Sequence, residues 1–84
     1  MPVNFRSKLH IALLKYYFEN PGAERYLREL SRILSFNSSY LSRELRKFVR
    51  GGIFFARKAG KEKYFWINRK HRFYNELRKI VEGL

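Results

Sequence analysis

The sequence contains no cysteine and only two histidines, His10 and His71, and these shortages exclude several kinds of site. Without cysteine there is no disulfide, no thiol nucleophile and no thiolate site for zinc. The two histidines are far apart in the sequence, so we interpret both as surface or interface residues and not as metal ligands. We therefore expect neither a metal nor a cofactor.

Long apolar runs are also missing. None approaches the roughly 18 residues that a membrane span requires, and the N-terminus has no signal-peptide core. We therefore expect an intracellular protein with no membrane partner. The acidic residues are glutamates scattered along charged segments, and no nucleophile–base pair, glycine-rich phosphate loop or metal-ligand spacing appears. The sequence predicts that the protein is not an enzyme.

Negative charge is scarce, since 19 lysines and arginines face only seven acidic residues, for a net charge of +12. The excess is concentrated in residues 41–72, which hold eleven basic residues against Glu44 and Glu62, a net charge of +9. A balance so basic predicts a polyanionic partner, with nucleic acid favoured over an anionic membrane. Aromatic residues make up 18% of the chain, which is ample for a packed core and argues against disorder.

Hydrophobic periodicity predicts four helices, over about residues 5–19, 27–35, 37–50 and 69–82. The apolar residues of the first helix cover more than half of its circumference, so it is either central to the core or in contact with a second subunit. We favour the second interpretation for so small a chain. The predicted dimer interface consists of Leu14, Tyr17, Phe18, Tyr74 and Val81.

The helix at 37–50 has two unlike faces and clear ends. Asn37 is a suitable N-cap, and Gly51 or Gly52 can adopt the left-handed conformation that ends a helix. One face is apolar, and the opposite face carries small polar residues and arginines (Ser39, Arg43, Arg46, Arg50). A very short link joins this helix to the one at 27–35, and such a link predicts helix-turn-helix geometry.

Residues 53–67 change to a strand-like pattern around a loop at 59–62, which predicts a β-hairpin. Pairing Lys58 with Lys63 places one set of residues on the face toward the helices (Phe54, Ala56, Phe65, Ile67) and a second set on the outer face (Phe55, Arg57, Tyr64, Trp66). Asn68 is expected to cap the last helix. We predict a single domain over residues 1–84, mainly α with a β-hairpin wing (α+β): a winged helix-turn-helix with a three-helix core and a C-terminal helix.

Four segments, LRELSRIL at 27–34, NSSYLSREL at 37–45, GGI at 51–53 and KYFWIN at 63–68, resemble winged helix-turn-helix transcription regulators. The chain is most similar to the arsenical-repressor-like (ArsR-like) and related small prokaryotic regulators, over roughly residues 8–82. This resemblance implies a DNA-binding repressor or activator, usually a homodimer joined through its first and last helices. It also implies that the major groove is read from the positions of Ser38, Ser39, Tyr40, Ser42, Arg43 and Arg46. The absence of cysteine departs from the metal-sensing members.

The predicted DNA-binding residues combine base-reading and phosphate-binding chemistry. Arg43 and Arg46 can each pair with both acceptors of a guanine edge, whereas lysines of the wing at 57–63 would bind phosphate or enter the minor groove. Arg28 and Arg32 would contact the backbone from the supporting helix. The full set is Ser38, Ser39, Tyr40, Ser42, Arg43, Arg46, Lys47, Arg50, Arg28, Arg32, Arg57, Lys58, Lys61 and Lys63.

The leading hypothesis is a homodimeric, cytoplasmic regulator that binds double-stranded DNA in a sequence-specific manner and is nucleoid-associated when bound. Two alternatives remain open. In the first, the winged helix binds RNA or a ribonucleoprotein, and Phe55, Tyr64 and Trp66 are stacking platforms. In the second, the chain is a protein-interaction module of a larger complex.

Overall fold

The structure is a computed structural model that describes residues 2–84. Met1, the first residue of the predicted domain 1–84, lies outside the described residues. The elements are α1 (Lys8–Glu19), β1 (Arg25–Tyr26), α2 (Leu27–Leu34), α3 (Ser38–Arg50), β2 (Phe54–Ala59), β3 (Glu62–Ile67) and α4 (Tyr74–Glu82). The strands form one antiparallel sheet in the order β1-β3-β2. This small α+β arrangement of four helices and three strands is compatible with a winged helix.

Helix α1 lies at the centre of the core. Leu13, Leu14 and Tyr17 have no exposed surface, and the Tyr17 hydroxyl donates a hydrogen bond of 2.7 Å to the carbonyl oxygen of Phe65 in β3. The helix begins at Lys8 and not near residue 5, because the Ser7 side chain is the cap and accepts from the N–H of His10. Most of the broad apolar surface is therefore covered within the chain, which favours the interpretation that α1 is central to the core. The contact of its second face with another subunit stays a prediction.

The residues predicted at a dimer interface lie inside the protomer. Leu14, Tyr17, Phe18 and Val81 are all buried. Tyr74 is half-buried, and its ring makes an edge contact with Phe18 at a centroid distance of 5.3 Å. Because α1 and α4 pack against each other within one chain, Leu14, Tyr17, Phe18 and Val81 have almost no surface to offer a second copy. The assignment of these four residues to an interface is wrong, whereas Tyr74 at an interface and the dimer itself stay predictions.

The connection between α2 and α3 is as short as the sequence predicts. Ser35 ends α2 in the left-handed conformation, with φ of 59°, and the Ser31 hydroxyl donates to the carbonyl oxygen of Phe36 at 2.6 Å. The predicted Asn37 cap is confirmed, since its side-chain oxygen accepts from the N–H groups of Ser39 and Tyr40. The apolar face of α3 then buries Leu41, Leu45 and Phe48 against α1, α2 and the sheet.

The hairpin has the predicted register, with Lys58 opposite Lys63. Its loop is shorter than predicted, because Ala59 also pairs with Glu62 and only Gly60, with φ of 62°, and Lys61 remain in the turn. Phe54, Phe65 and Ile67 are buried on the inner face, as expected. The extended residues Arg25 and Tyr26 add a third strand that the sequence did not predict to pair, because a strand of two residues has no periodicity.

The last helix begins at Tyr74, later than predicted. Asn68 does not cap it: its amide donates to the carbonyl oxygen of Gly52 at 2.9 Å, and its side-chain oxygen accepts from the Lys70 N–H at 3.1 Å. Residues 68–73 therefore form a turn held against the end of α3. Among the apolar side chains on and beside α4, Leu77 and Val81 are buried, whereas three are exposed (Phe73, Ile80, Leu84).

Candidate nucleic-acid interface

The outer face of α3 presents the cations and hydroxyls that the sequence placed there. Ser38, Ser39, Arg43, Arg46, Lys47 and Arg50 are exposed, and Tyr40 and Ser42 are half-buried. The Arg43 guanidinium lies 5.4 Å from the centroid of the Tyr40 ring, close enough for a cation–π contact. That contact gives Tyr40 a role in orienting Arg43, in addition to packing against Phe36.

The hairpin supplies the second part of the surface. Arg57, Lys58, Lys61 and Lys63 are all exposed at or near its tip. The Arg57 guanidinium lies 5.5 Å from the centroid of the Tyr64 ring, which helps to extend this side chain over the outer face of the sheet. The tight turn brings the cations of the two strands close together.

A groove separates α3 from the hairpin. One part of it, with a volume of about 340 Å³, is lined by residues of α2, α3 and the hairpin tip (Leu27, Arg28, Ser38, Lys61, Glu62, Lys63). A smaller part of about 100 Å³ lies deeper and is lined by Ser42, Arg46 and Lys63 together with apolar side chains. The structure therefore brings Arg46, predicted to read bases, and Lys61 and Lys63, predicted to bind phosphate, to one concave surface. Arg43 instead lies beside Glu44 and Tyr40.

Helix α2 contributes less free charge to this surface than expected. Arg28 is exposed but forms an ion pair of 2.6 Å with Glu62 of the hairpin, so its charge is already partly compensated. Arg32, also exposed, lines a shallow depression with Glu29 and Ile33. Because an exposed ion pair contributes only about 0–1 kcal/mol, Arg28 can exchange Glu62 for a phosphate at little cost.

A buried polar pair that the sequence did not predict links α1 to α3. His10 is not a surface residue: it is 3% exposed, and its Nε2 lies 2.8 Å from Oε1 of Glu44, which is 7% exposed. The backbone N–H of Asn4 donates to His10 Nδ1 at 2.9 Å, so Nδ1 carries no hydrogen and Nε2 donates to the carboxylate. The pair thus sets an imidazole N–H donor against a carboxylate in a site almost closed to water.

Glu44 also anchors cations on the outer face of α3. Its Oε2 lies 3.0 Å from Lys47 Nζ and 3.7 Å from Arg43 Nε. Burial acts to raise the pKa of Glu44, but the hydrogen bonds from His10 and Lys47 outweigh it, so the pKa is lowered from its usual value of 4.5. A sequence signal existed, because position 44 falls three residues after the buried Leu41 and therefore beside the apolar stripe.

The described residues, 2–84, show neither a metal-binding cluster nor a membrane-spanning helix. No group of three or more histidine or acidic side chains in this part of the chain is placed to hold a metal ion. None of its helices combines the length and the apolar character needed to cross a membrane.

Comparison with known proteins gives similarity of fold only. No family model and no curated protein sequence matches the chain. Among solved structures, a "possible transcriptional regulatory protein" fragment from Mycobacterium bovis is 21% identical, with a TM-score of 0.64 over 90% of this chain and 85% of that one. A protein from Archaeoglobus fulgidus is 17% identical, with a TM-score of 0.68 over 95% of this chain and 89% of that one.

Proposed function

We propose that this chain is a winged helix-turn-helix regulator of transcription that binds double-stranded DNA in a sequence-specific manner. In this proposal, α2 and α3 form the helix-turn-helix, α3 enters the major groove, and the wing at 57–63 follows the backbone or the minor groove. The fold shared with a protein described as a possible transcriptional regulator supports it. The positive charge of the surface also supports it, because cations attract the phosphates of a duplex whatever its sequence.

The observation that carries the proposal is the groove shared by α3 and the hairpin. Lys63 lines both of its parts, and Ser42, Arg46 and Ser38 face it from the helix. A duplex would place base edges against α3 and a sugar–phosphate strand against the wing. Arg43 and Arg46 would then discriminate bases, each good bidentate contact with guanine contributing about 1–3 kcal/mol. The lysines would add affinity without discrimination.

The proposal also covers the family, the location and the assembly state. We place the chain with the ArsR-like small prokaryotic regulators, in the cytoplasm and on the nucleoid when bound, as a homodimer with no catalytic role. The dimer cannot use the buried residues of α1, so it would use exposed apolar residues of the α4 side, Ile80 and Leu84. Two copies would then address half-sites about one helical turn, roughly 35 Å, apart.

Selection of bound duplexes from a random pool tests sequence-specific binding. The Arg43→Ala/Arg46→Ala variant should lose the recovered preference, and its affinity for the selected site should fall by at least tenfold. A Lys8→Ala/Lys15→Ala variant removes the same charge from the exposed side of α1 and should retain both. If the arginine variant binds the selected duplex as the parent does, α3 is not the recognition helix. A recovered site with two-fold symmetry would indicate that the protein binds as a dimer.

A second candidate function follows from the outer face of the sheet. Phe55 is 45% exposed and lies 5.7 Å, centroid to centroid, from Trp66, while Tyr26 and Tyr64 stack at 4.3 Å. Such aromatic surfaces stack unpaired bases, which favours single-stranded RNA as the ligand. Competition between a duplex and a single-stranded RNA, followed by Trp66 fluorescence, separates the two functions. If RNA quenches the Trp66 fluorescence and an excess of duplex does not reverse the quenching, RNA is the favoured ligand.

A further inference from the structure

A second group of cations lies at the opposite end of α3 from the hairpin tip. We define the basic turn as residues 68–73, of which residues 69–73 were predicted to belong to the last helix. Arg69, Lys70 and Arg72 are exposed there, and Arg50 is exposed at the last position of α3. Within residues 2–84, none of these four cations forms an ion pair with a carboxylate.

Hydrogen bonds hold the basic turn against the end of α3. The Asn68 amide donates to Gly52, and the Asn68 N–H donates to the carbonyl oxygen of Ile53 at 2.8 Å. The His71 ring binds the carbonyl oxygen of Gly51 through Nε2 at 3.2 Å, while its Nδ1 accepts from the Phe73 N–H at 3.1 Å. The backbone of Arg69, Lys70 and Arg72, which lies between or beside these anchors, is therefore held in position relative to α3.

We propose that the basic turn, together with Arg50, is a second phosphate-binding surface that contacts the sugar–phosphate backbone of the same duplex as α3. This inference rests on the proposed DNA-binding function and extends it to Arg69, Lys70 and Arg72, which lie outside the helix and the wing. Its ligand is a run of phosphodiesters and not a base sequence. Lys47 lies between this surface and the base-reading residues, next to a depression lined by Arg50 and Gly51.

The length of α3 explains why a second backbone contact is available. Its 13 residues give an axial length of about 20 Å, whereas the major groove is only about 12 Å wide. A helix that reads bases with its N-terminal half therefore leaves its C-terminal end beside a phosphate strand. Backbone contacts from the end of a recognition helix are a known docking geometry. The wing and the basic turn would thus bind phosphates at the two ends of α3.

Another explanation must be separated from this one. Cations at the C-terminal end of a helix interact favourably with its dipole, so the turn could serve only the stability of α3. In that case their removal would lower the melting temperature and leave the dependence of DNA binding on salt unchanged. Phosphate binding predicts the opposite result, because each phosphate contact releases counterions and contributes about 0.9 to the slope of log affinity against log salt.

The test compares two triple variants that carry equal charge. One removes the turn cations (Arg69→Gln/Lys70→Gln/Arg72→Gln), and the other removes exposed cations of α1 and α4 (Lys8→Gln/Lys15→Gln/Lys79→Gln). Anisotropy of a labelled duplex of random sequence is measured across a salt series, and thermal unfolding is recorded for both proteins. The slope of log affinity against log salt should be shallower than that of the parent by about 2–3 in the turn variant, and by less than half as much in the control.

Equal slopes for the two variants would overturn the second surface, and so would a slope that stays at the parent value while the melting temperature falls. The Arg43→Ala/Arg46→Ala variant on the selected duplex keeps this failure distinct from failure of the proposed function. If that variant loses its site preference while the turn variant behaves like its control, only the second surface is wrong. If the arginine variant keeps parental binding, the recognition-helix proposal is wrong instead.

Discussion

Replacing His10 by leucine should destabilise the protein through Glu44 and not through loss of volume. Leucine fills a similar space beside Phe48, but it cannot donate to the carboxylate, which is only 7% exposed. A hydrogen bond to a charged group contributes about 1.5–3 kcal/mol. Lys47 still reaches the other carboxylate oxygen, so we expect a loss near the lower end, about 2 kcal/mol. For a domain of this size that lowers the melting temperature by about 8–16 °C.

Substitutions at both His10 and Glu44 test whether the two residues are coupled. The double variant His10→Leu/Glu44→Leu removes both polar groups from the buried site, and it should recover much of the loss, since an apolar replacement of a buried pair is often close to neutral. Urea unfolding followed by circular dichroism at neutral pH gives the free energies of unfolding. A double variant as unstable as the sum of the two single variants would show that the residues are not coupled and would refute the account.

The same pair predicts how stability depends on pH. The pKa of Glu44 in the folded protein lies below its unfolded value near 4.5, so the stabilisation is present above that value and is lost as the pH falls through the folded pKa. The difference in stability between the parent and Glu44→Gln should therefore shrink as the pH is lowered below about 4.5. A difference that stays constant down to strongly acidic pH would contradict the ionised state of Glu44.

Two further predictions concern a turn and a tyrosine pair. Ser35 adopts a φ of 59°, a conformation that glycine adopts more readily than serine, so Ser35→Gly should raise the free energy of unfolding by about 1 kcal/mol in urea unfolding. The control is Ser38→Gly, because Ser38 lies in the helix α3, and this variant should not be stabilised. The hydrogen bond to Tyr64 raises the pKa of Tyr26 to about 12, so the pair's contribution to stability is present below pH 10 and lost as the pH rises through 12. Tyr26→Phe should remove this late step from the phenolate absorbance titration, and an unchanged titration would contradict the assignment.

Local signals predicted the parts of the fold that local interactions determine. Asn37 caps α3 through N–H groups two and three residues ahead, and the alternation of residues in the hairpin fixes the pairing of Lys58 with Lys63. Asn68 shows the limit of such signals. A suitable cap residue was present, but Gly52, distant in sequence, provides the acceptor for its amide and diverts it into the turn.

The predictions for His10 and for the buried residues of α1 failed for the same physical reason, because both depend on partners that are distant in the sequence. The partners His10 and Glu44 are 34 positions apart, so no local pattern could reveal that each compensates the burial of the other. The apolar width of α1 was read correctly, but whether that surface meets α4, the sheet or a second chain depends on tertiary packing. By contrast, the cations of α3 and the hairpin were predicted to be exposed, because charges remain at the surface unless a partner compensates their burial.

The strand order leaves β2 at an edge of the sheet, with backbone groups on its outer side that β3 does not use. An open edge of this kind can pair with the edge of another molecule, and charged side chains along it oppose such pairing. Arg57 and Lys58 are exposed on this strand, and charges at such positions oppose pairing between molecules. Neutralising the wing to test the proposed DNA binding would therefore also remove a barrier to aggregation, and we expect the solubility of the protein to fall.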